Sequence, residues 1–265
     1  MPVQFLFRKN NGLKAVKEVP RMKQNKYDET SFFENYSRMP RSTGGLESAG
    51  EWGTFRTLLP DLQGQRILDL GCGFGWHCRY AREQGAVSVV GIDLSANMLE
   101  RARAMTRDPK IEYLQLAIED AAFGADEFDT VISSLAIHYV EDIASLCRQV
   151  YYCLKPGGAF VFSVEHPIFT ALAAQDWHYG LEGGKQHWPV DNYHLEGPRQ
   201  ANFLDHAVTK YHRNTATYIN TLIGSGFTLT RISELQPTAA MLENNAAWQE
   251  ETRRPMFLLL SAVKN

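Results

Sequence analysis

Three glycines at alternate positions give the sequence its clearest chemical signal, in the run Asp69-Leu-Gly-Cys-Gly-Phe-Gly75. A backbone without β-carbons can lie directly against a ligand, where a side chain would collide with it. Asp93 ends the next apolar run, and a carboxylate in that position can accept hydrogen bonds from both hydroxyls of a ribose. Together these residues predict a nucleotide-type ligand. The alternative is a tight structural turn followed by a solvated acid.

The glycine spacing also bears on which nucleotide is bound. A dinucleotide site typically has the pattern G-x-G-x-x-G. In this chain the third glycine, Gly75, comes one residue early, and Trp76 occupies the sixth position. The pattern therefore disfavours a NAD-dependent oxidoreductase, which we keep as a weaker alternative.

A second group of candidate residues follows two later apolar runs. His138 and Tyr139 follow the first of them, and Glu165 and His166 follow the second. Histidine and carboxylate side chains commonly remove the proton of a reacting group. We therefore take His138, His166 and Glu165 as catalytic candidates, with His138 as the general base. The alternatives are packing of His138 at the rim of the ligand and a turn-stabilising role for His166 before Pro167.

These residues need a scaffold that brings distant loops together. From residue 65 onwards short apolar runs alternate with helical stretches, which indicates a parallel sheet covered by helices. Predicted strands span residues 66–70, 87–92, 111–116, 128–133, 159–163, 227–232 and 256–263, and predicted helices span 76–84, 95–106, 140–154 and 215–226. Loops that follow parallel strands meet at one edge of the sheet, where ligands bind. The pattern predicts a doubly wound α/β fold over residues 27–265.

Residues 169–213 interrupt this alternation and are too many for a plain connection between a strand and a helix. The segment is rich in aromatic residues and histidines. We expect an inserted substrate-binding cap that uses Trp177, Trp188 and Tyr211 and contains a hairpin around Asp205; aromatic rings that only pack a subdomain onto the sheet are the alternative. Its histidines lack the spacing of metal ligands, so we expect no metal.

The chain begins with a basic stretch, because residues 1–26 hold seven Lys or Arg residues and a single acid. We expect a flexible extension there, with a targeting or anion-binding tail as the alternative. A mixed aromatic and basic segment follows, in which Tyr36 and Arg41, together with Tyr139 further along, are candidates for substrate contacts. Packing under a lid and a surface charge are the alternatives for Tyr36 and Arg41.

Composition excludes several classes of protein. Lys plus Arg number 27 and Asp plus Glu 30, a net charge of −3 that offers no basic field to nucleic acid. The longest apolar run is far too short to cross a membrane, and the 4 cysteines have neither metal-binding nor disulfide-scaffold spacing. We therefore expect a cytoplasmic protein whose partner is a small molecule, with neither nucleic acid nor membrane bound. Oligomeric state is not indicated.

The glycine run resembles the D-x-G-x-G-x-G loop of the class I S-adenosylmethionine-dependent methyltransferases of the small-molecule type. The resemblance covers roughly residues 27–263 and continues, in family order, through residues 91–98, 117–120, 128–129 and 154–158. It implies a Rossmann-like fold with seven strands, the last of them antiparallel. It also implies S-adenosyl-L-methionine as the cofactor and S-adenosyl-L-homocysteine as the product.

By position, the resemblance implies a cofactor site made of Asp69, Gly71, Cys72, Gly73, Gly75, Asp93, Leu94, Met98, Ala117, Ile118, Glu119 and Ser133. In it the backbone from Gly71 to Gly73 lines the methionine half, Asp93 holds the ribose, and Leu94 and Met98 pack near the adenine. For the last two, simple core packing is the alternative, because residues four apart share one face of a helix.

A methyl group on a sulfonium is already activated, so its transfer is an in-line displacement that proximity and desolvation accelerate. The sequence thus predicts an enzyme that methylates a small molecule. A non-catalytic S-adenosylmethionine-binding sensor or assembly protein is the alternative.

Overall fold

The computed structural model describes residues 23–244 and 248–265. Within them lie eleven strands: β1 (Arg66–Leu70), β2 (Ser88–Asp93), β3 (Ile111–Gln115), β4 (Phe128–Ser134), β5 (Leu154–Glu165), β6 (His178–Tyr179), β7 (Lys185–His187), β8 (Gly197–Phe203), β9 (His206–His212), β10 (Phe227–Glu234) and β11 (Phe257–Lys264). The α-helices of the same residues are α1 (Thr30–Ser37), α2 (Pro40–Thr43), α3 (Trp52–Phe55), α4 (Trp76–Glu83), α5 (Ala96–Met105), α6 (Ile143–Cys153), α7 (Pro167–Thr170), α8 (Thr215–Gly224), α9 (Ala239–Asn244) and α10 (Trp248–Glu251).

Seven of the strands form one sheet in the order β10-β11-β5-β4-β1-β2-β3. Strands β1 to β5 pair in parallel, and β11 runs antiparallel to both of its neighbours, β5 and β10. The predicted doubly wound α/β sheet with an antiparallel last strand is confirmed. The strand order reverses at β1, and ligands of such sheets bind outside the carboxyl ends of the strands at this point.

Helices cover both faces of the sheet. Because successive side chains of a strand point to opposite faces, Leu68 and Leu70 of β1 belong to one apolar cluster and Ile67 belongs to another. Residues of α6 and α8 complete the first cluster, and residues of α4 and α5 complete the second. The central strands are therefore buried on both sides, which explains their almost continuous apolar sequence.

Two predicted boundaries were wrong. Strand β5 begins at Leu154, because this residue already pairs with Phe128 at the start of β4. The run Lys155-Pro-Gly-Gly158, predicted as a turn before the strand, is instead an irregular stretch within it. Helix α6 begins later than predicted because the Asp142 side chain accepts a hydrogen bond from the Ser145 backbone N–H and so caps the helix there.

Residues 169–213, which we call the cap segment, carry strands β6 to β9 in two antiparallel hairpins. The predicted hairpin around Asp205 is present. Its turn uses left-handed backbone at Leu204 (φ 54°) and at Asp205 (φ 63°). Both hairpins are separate from the main sheet.

The extension predicted for residues 1–26 ends earlier than expected. Gln24 Oε1 accepts the backbone N–H of Thr209 on β9 at 2.7 Å, and Asn25 donates a hydrogen bond to Asp28 at 2.6 Å. Residues 23–26 therefore belong to the folded part of the chain. The rest of the predicted extension lies outside the described residues.

Candidate active site

The glycine run turns the chain from β1 into α4 through left-handed backbone, with φ of 75° at Gly71, 52° at Gly73 and 71° at Gly75. The Gly71 N–H donates to the carbonyl of Ile92 at 2.9 Å, which holds the loop against the end of β2. A β-carbon added to Gly71 would lie 2.4 Å from the Ala136 β-carbon, whereas one added to Gly73 would meet nothing within 4 Å. Gly71 is thus required for packing, and Gly73 forms an open ledge.

The Asp93 carboxylate lies beside this ledge at the end of β2. Its Oδ2 accepts the Gly73 N–H at 2.9 Å, and its Oδ1 accepts the Ser95 N–H at 2.9 Å. Burial raises the pKa of Asp93 to about 6, against the effect of these hydrogen bonds. At neutral pH the group is therefore mostly a carboxylate, and each oxygen retains room for one more hydrogen bond.

Two predicted cofactor contacts lie behind the loop instead. Asp69 is buried and accepts a hydrogen bond from the Cys78 thiol at 3.2 Å, and burial raises the pKa of Asp69 to about 7. Ser133 is fully buried, and its hydroxyl donates to the Leu70 carbonyl at 2.7 Å. Both side chains are buried and hydrogen-bonded within the protein, so their place in the cofactor site stays a prediction. Their hydrogen bonds hold the end of β1 in place.

The residues expected near an adenine differ in how deeply they are buried. Met98 is 2% exposed, which favours the alternative of core packing for its side chain. Leu94, Ile118 and Glu119 are half-buried, and Ala117 is buried. Ile118 Cδ1 would lie 3.4 Å from a β-carbon at Gly71, so its side chain borders the glycine loop.

Asp28, a carboxylate that the sequence reasoning missed, also lies on the side of the crevice formed by Asp93 and α5. Asp28 Oδ1 accepts hydrogen bonds from the Ser95 hydroxyl at 2.6 Å and from the Asn97 N–H at 3.0 Å. Although burial raises the pKa of Asp28, these hydrogen bonds outweigh it and lower the pKa below its usual value. Asp28 thereby caps α5 from a position far away in the sequence, which no local capping pattern could have indicated.

Three tyrosines, Tyr27, Tyr36 and Tyr139, lie together and form what we call the tyrosine wall. The rings of Tyr27 and Tyr36 meet edge to face at 5.1 Å, and the Tyr27 hydroxyl lies 3.5 Å from that of Tyr139. Burial raises the pKa of all three phenols, so they stay protonated. Next to them is a cleft of about 400 Å³, including space open to solvent, that is lined by Tyr36, Arg41, Ser42, Gly45, Leu46, Ala49, Phe74, Trp76, His77 and Ser134.

Arg41 does not offer a free charge to this cleft. Its guanidinium lies 2.5 Å from Oε1 of Glu51, a buried carboxylate that also accepts the Ser134 hydroxyl at 3.2 Å. Burial lowers the pKa of neighbouring His77 to about 3, so this histidine is uncharged. No motif indicated Glu51 or His77, because their surroundings form only when the chain folds.

The chain leaves β4 through left-handed backbone at Leu135, with φ of 53°. The Leu135 N–H donates to the Ser163 carbonyl at 3.0 Å, which fixes this turn to β5. Non-glycine residues adopt this conformation at a cost, and such strain is often found at functional sites. The turn brings Ala136 against the glycine loop and starts the 3-10 helix Ile137–Tyr139, which carries His138.

His138 and Glu165 meet at the carboxyl ends of β4 and β5. His138 is 2% exposed, and burial lowers its pKa to about 4. Its Nδ1 accepts the backbone N–H of Glu165 at 3.4 Å. The Glu165 carboxylate accepts hydrogen bonds from Lys210 Nζ at 2.6 Å and from Gln175 Nε2 at 2.9 Å. The two predicted catalytic residues are therefore adjacent, with two further partners that the sequence reasoning missed.

Comparison with known proteins agrees with this geometry. A family model described as a methyltransferase domain matches residues 68–162. The crystal structure of an S-adenosylmethionine-dependent methyltransferase from Mesorhizobium loti is 48% identical, with a TM-score of 0.79 over 83% of this chain and 100% of that chain. The chain belongs to the S-adenosylmethionine-dependent methyltransferases.

Two relatives extend the comparison for this methyltransferase. An uncharacterized protein of Haemophilus influenzae is 33% identical over 249 residues, which are 90% of this chain and 96% of that protein. Phosphoethanolamine N-methyltransferase 1 of Arabidopsis thaliana is 37% identical over 124 residues, which are 46% of this chain and 25% of that enzyme. The predicted methyltransferase family, enzyme and cofactor are confirmed, and the nicotinamide and non-catalytic alternatives are set aside.

The crevice of the methyltransferase fits S-adenosylmethionine on its own chemistry. The ledge at Gly73 is open, and Asp93 retains acceptor positions suited to a ribose. The indole N–H of Trp76 is buried at the cleft and has no hydrogen-bond partner in residues 23–244 and 248–265. Such an unpaired polar atom is costly unless a ligand or water satisfies it.

His166 has a structural role in the methyltransferase. Its Nδ1 accepts the Ile168 N–H at 3.0 Å and so caps α7, while its Nε2 lies 3.0 Å from Oε1 of Glu234. Burial lowers the pKa of His166. Because both ring nitrogens are engaged, the geometry favours the turn-stabilising alternative over the catalytic role predicted for this residue.

Three predicted substrate contacts lie in packing or surface positions. The Trp188 indole donates to the Ile168 carbonyl at 3.1 Å, and the rings of Trp188 and Trp177 surround the Arg254 guanidinium at 4.1 and 5.4 Å. Tyr211 donates to a surface carboxylate at 3.3 Å. These contacts favour packing or surface roles for these three side chains over the predicted substrate contacts.

The described part of the chain contains no group of three or more His, Cys, Asp or Glu residues able to hold a metal ion. All four cysteines are free and buried. Among the helices in residues 23–244 and 248–265, none combines the length and the apolar character needed to cross a membrane.

Proposed function

We propose that this methyltransferase methylates a small molecule held between the glycine loop and the tyrosine wall, within a single domain that uses the cap segment as its acceptor-binding cap. The observation that carries the proposal is a contact between the chain before Asp28 and the cap segment, which we infer covers the crevice. Gln24, next to the Asp28 cap of α5, is hydrogen-bonded to Thr209 of the cap segment. A crevice covered by the contact between Gln24 and Thr209 favours a small acceptor over a folded macromolecule.

On the cofactor side, we assign ribose binding to Asp93 and contact with the methionine half to the backbone from Gly71 to Gly73. Leu94, Ile118 and Glu119 border the space for the adenine. S-adenosylmethionine supplies a methyl group that its positively charged sulfur has already activated. The protein's task is to position the two reactants and exclude water, which can provide most of the acceleration.

On the acceptor side, we assign His138, Tyr139, Tyr36 and Arg41. Because Glu51 neutralises Arg41, the cleft does not require an anionic acceptor. The plant relative that matches part of the chain is a phosphoethanolamine N-methyltransferase, which supports a small acceptor. The wall of uncharged phenols suits a partly apolar or ring-containing molecule.

A metabolite extract incubated with the purified protein and methyl-labelled S-adenosylmethionine tests this proposal. We expect the label in one or a few compounds of low mass, together with S-adenosylhomocysteine. A parallel reaction with Asp93→Asn serves as the control and should label the same compounds much more slowly. Label found only in protein or nucleic acid would overturn the small-molecule proposal.

A further inference from the structure

A closed ring of three hydrogen bonds lies under the acceptor side. Lys210 Nζ donates to Glu165 Oε1 at 2.6 Å and to Gln175 Oε1 at 3.0 Å, and Gln175 Nε2 donates to Glu165 Oε2 at 2.9 Å. Only 2% of the Lys210 side chain is exposed. The three residues come from the end of β5, the segment before β6, and β9.

A buried ion pair of this kind is a poor way to attach the cap segment to the sheet. Removing two charges from water is costly, and apolar residues of similar size often stabilise a protein as well or better. Gln175 also adopts left-handed backbone, with φ of 47°, to reach its partners. The charges are better explained by their effect on a neighbour, and the residue that Glu165 contacts through its backbone N–H is His138.

The proton on His138 is placed by this arrangement. Its Nδ1 accepts the backbone N–H of Glu165. A neutral imidazole has one proton, so the proton must lie on Nε2. Nε2 makes no hydrogen bond to any residue in the described parts of the chain, which leaves its N–H available to a ligand.

The charges that face His138 decide whether it stays neutral. Burial lowers its pKa most; the Glu165 carboxylate opposes this, and the cations Lys210, Arg213 and Arg41 reinforce it. The phenol of Tyr139, whose ring centroid is 4.4 Å away, stays protonated. Without Lys210, Glu165 would act on the imidazole unopposed by its nearest cation.

We propose that Lys210 is a positioning residue that holds His138 as an uncharged hydrogen-bond donor toward the acceptor. The inference rests on the proposed function, because it places the acceptor beside His138. It also defines the substrate class. Nε2 is protonated and Tyr139 keeps its proton. Although burial raises the pKa of Glu165, its charged and hydrogen-bonded neighbours, Lys210 among them, outweigh burial and hold that pKa below its usual value, so the carboxylate is a weak base. None of these groups therefore readily removes a proton from the acceptor. The acceptor atom must have a free lone pair at neutral pH, as an uncharged nitrogen, a thiolate or a carboxylate does.

Nitrogen-15 NMR of the histidine side chains tests this inference without any acceptor. Long-range proton–nitrogen correlations distinguish the two neutral tautomers and the charged ring, and His138→Ala identifies the signals among the 8 histidines. We expect the Nε2–H tautomer from pH 8 down to about pH 5. A protonated Nδ1, or a charged ring at pH 7, would overturn the inference.

Variants of the ring test the role of Lys210. Lys210→Met should raise the His138 pKa, Lys210→Arg should keep it low, and Glu165→Gln should lower it further or leave it unchanged. Lys155→Met is the control. Lys155 forms a 2.7 Å ion pair with Asp129 at the start of β5, the strand that ends at Glu165. An unchanged His138 signal in a folded Lys210→Met protein would refute the positioning role.

Activity separates this inference from the proposed function. Once an acceptor is found, the acidic limb of the kcat profile should move to higher pH in Lys210→Met and stay in place in Lys155→Met. If no small molecule accepts the methyl group, the proposed function fails while the NMR result still stands. If activity requires a base that titrates near His138's ordinary pKa, the inference fails while the function stands.

Discussion

The two sides of the crevice are built in different ways. On the cofactor side, backbone groups of neighbouring loops bind one another, as when Gly73 donates to Asp93 twenty residues later. On the proposed acceptor side, charged side chains form ion pairs, as Lys210 does with Glu165, 45 residues away, and Arg41 with Glu51. The cofactor side therefore depends on backbone shape and the acceptor side on paired charges. Substitutions should affect the two sides through different measurements.

The largest effect should come from Asp93, the carboxylate that we assign to the ribose. Asp93→Asn removes a charge that can accept two ribose hydroxyls, and hydrogen bonds to charged groups contribute about 1.5–3 kcal/mol each. We expect the S-adenosylmethionine Kd to rise roughly 100-fold or more in calorimetry. Glu112→Gln, at an exposed position on β3, should leave the Kd unchanged. A Kd within a few-fold of the original in Asp93→Asn would contradict the assignment.

Gly71 and Gly73 test whether the cofactor side depends on backbone shape. Gly71→Ala places a methyl group 2.4 Å from Ala136 in left-handed backbone, which should lower the free energy of unfolding by about 2–4 kcal/mol. Gly73→Ala opens onto free space, so it should cost only about 1 kcal/mol of stability but weaken cofactor binding by filling the ledge. Denaturant unfolding and calorimetry measure the two effects. Equal loss of stability in both variants would break the distinction.

His138 tests the acceptor side. His138→Ala should reduce kcat by roughly 10-fold to 100-fold, because an orienting hydrogen bond is lost, and should leave the Kd for S-adenosylmethionine within about twofold. His138→Gln retains a donor and should recover part of the rate. Unchanged turnover in His138→Ala would remove this residue from the acceptor side.

The smallest expected effect is a pH dependence confined to the cofactor side. Burial raises the pKa of Asp93 to about 6, and the protonated acid accepts ribose hydrogen bonds poorly. Binding should be constant above pH 7 and weaken as pH falls through 6, by about tenfold per unit at most. Calorimetry from pH 5 to pH 8 measures this trend, and Asp93→Asn should show none of it. A trend of opposite sign would contradict the role of the carboxylate.

Sequence reasoning predicted the sheet well and the acceptor side poorly. Strand β1 lay where predicted, and β11 ran antiparallel as expected. Gly73 and Asp93 came together as predicted because their positions follow from consecutive strand ends. Trp177 and Trp188 were chosen because the cap segment is rich in aromatic residues, and His166 because it follows β5; contacts that the sequence does not show engage all three within the protein. Asp28 and Glu51 were missed because nothing near them in the chain indicates their partners.

The sequence by itself determined the alternation of strands and helices, the glycine loop and the acid that follows it. These depend on residue periodicity and on contacts between neighbouring elements, which short-range patterns encode. Only the tertiary structure decided which charges are paired, which histidine nitrogen holds the proton and which aromatic rings are buried. Those properties depend on desolvation and on partners that are brought together only when distant segments pack.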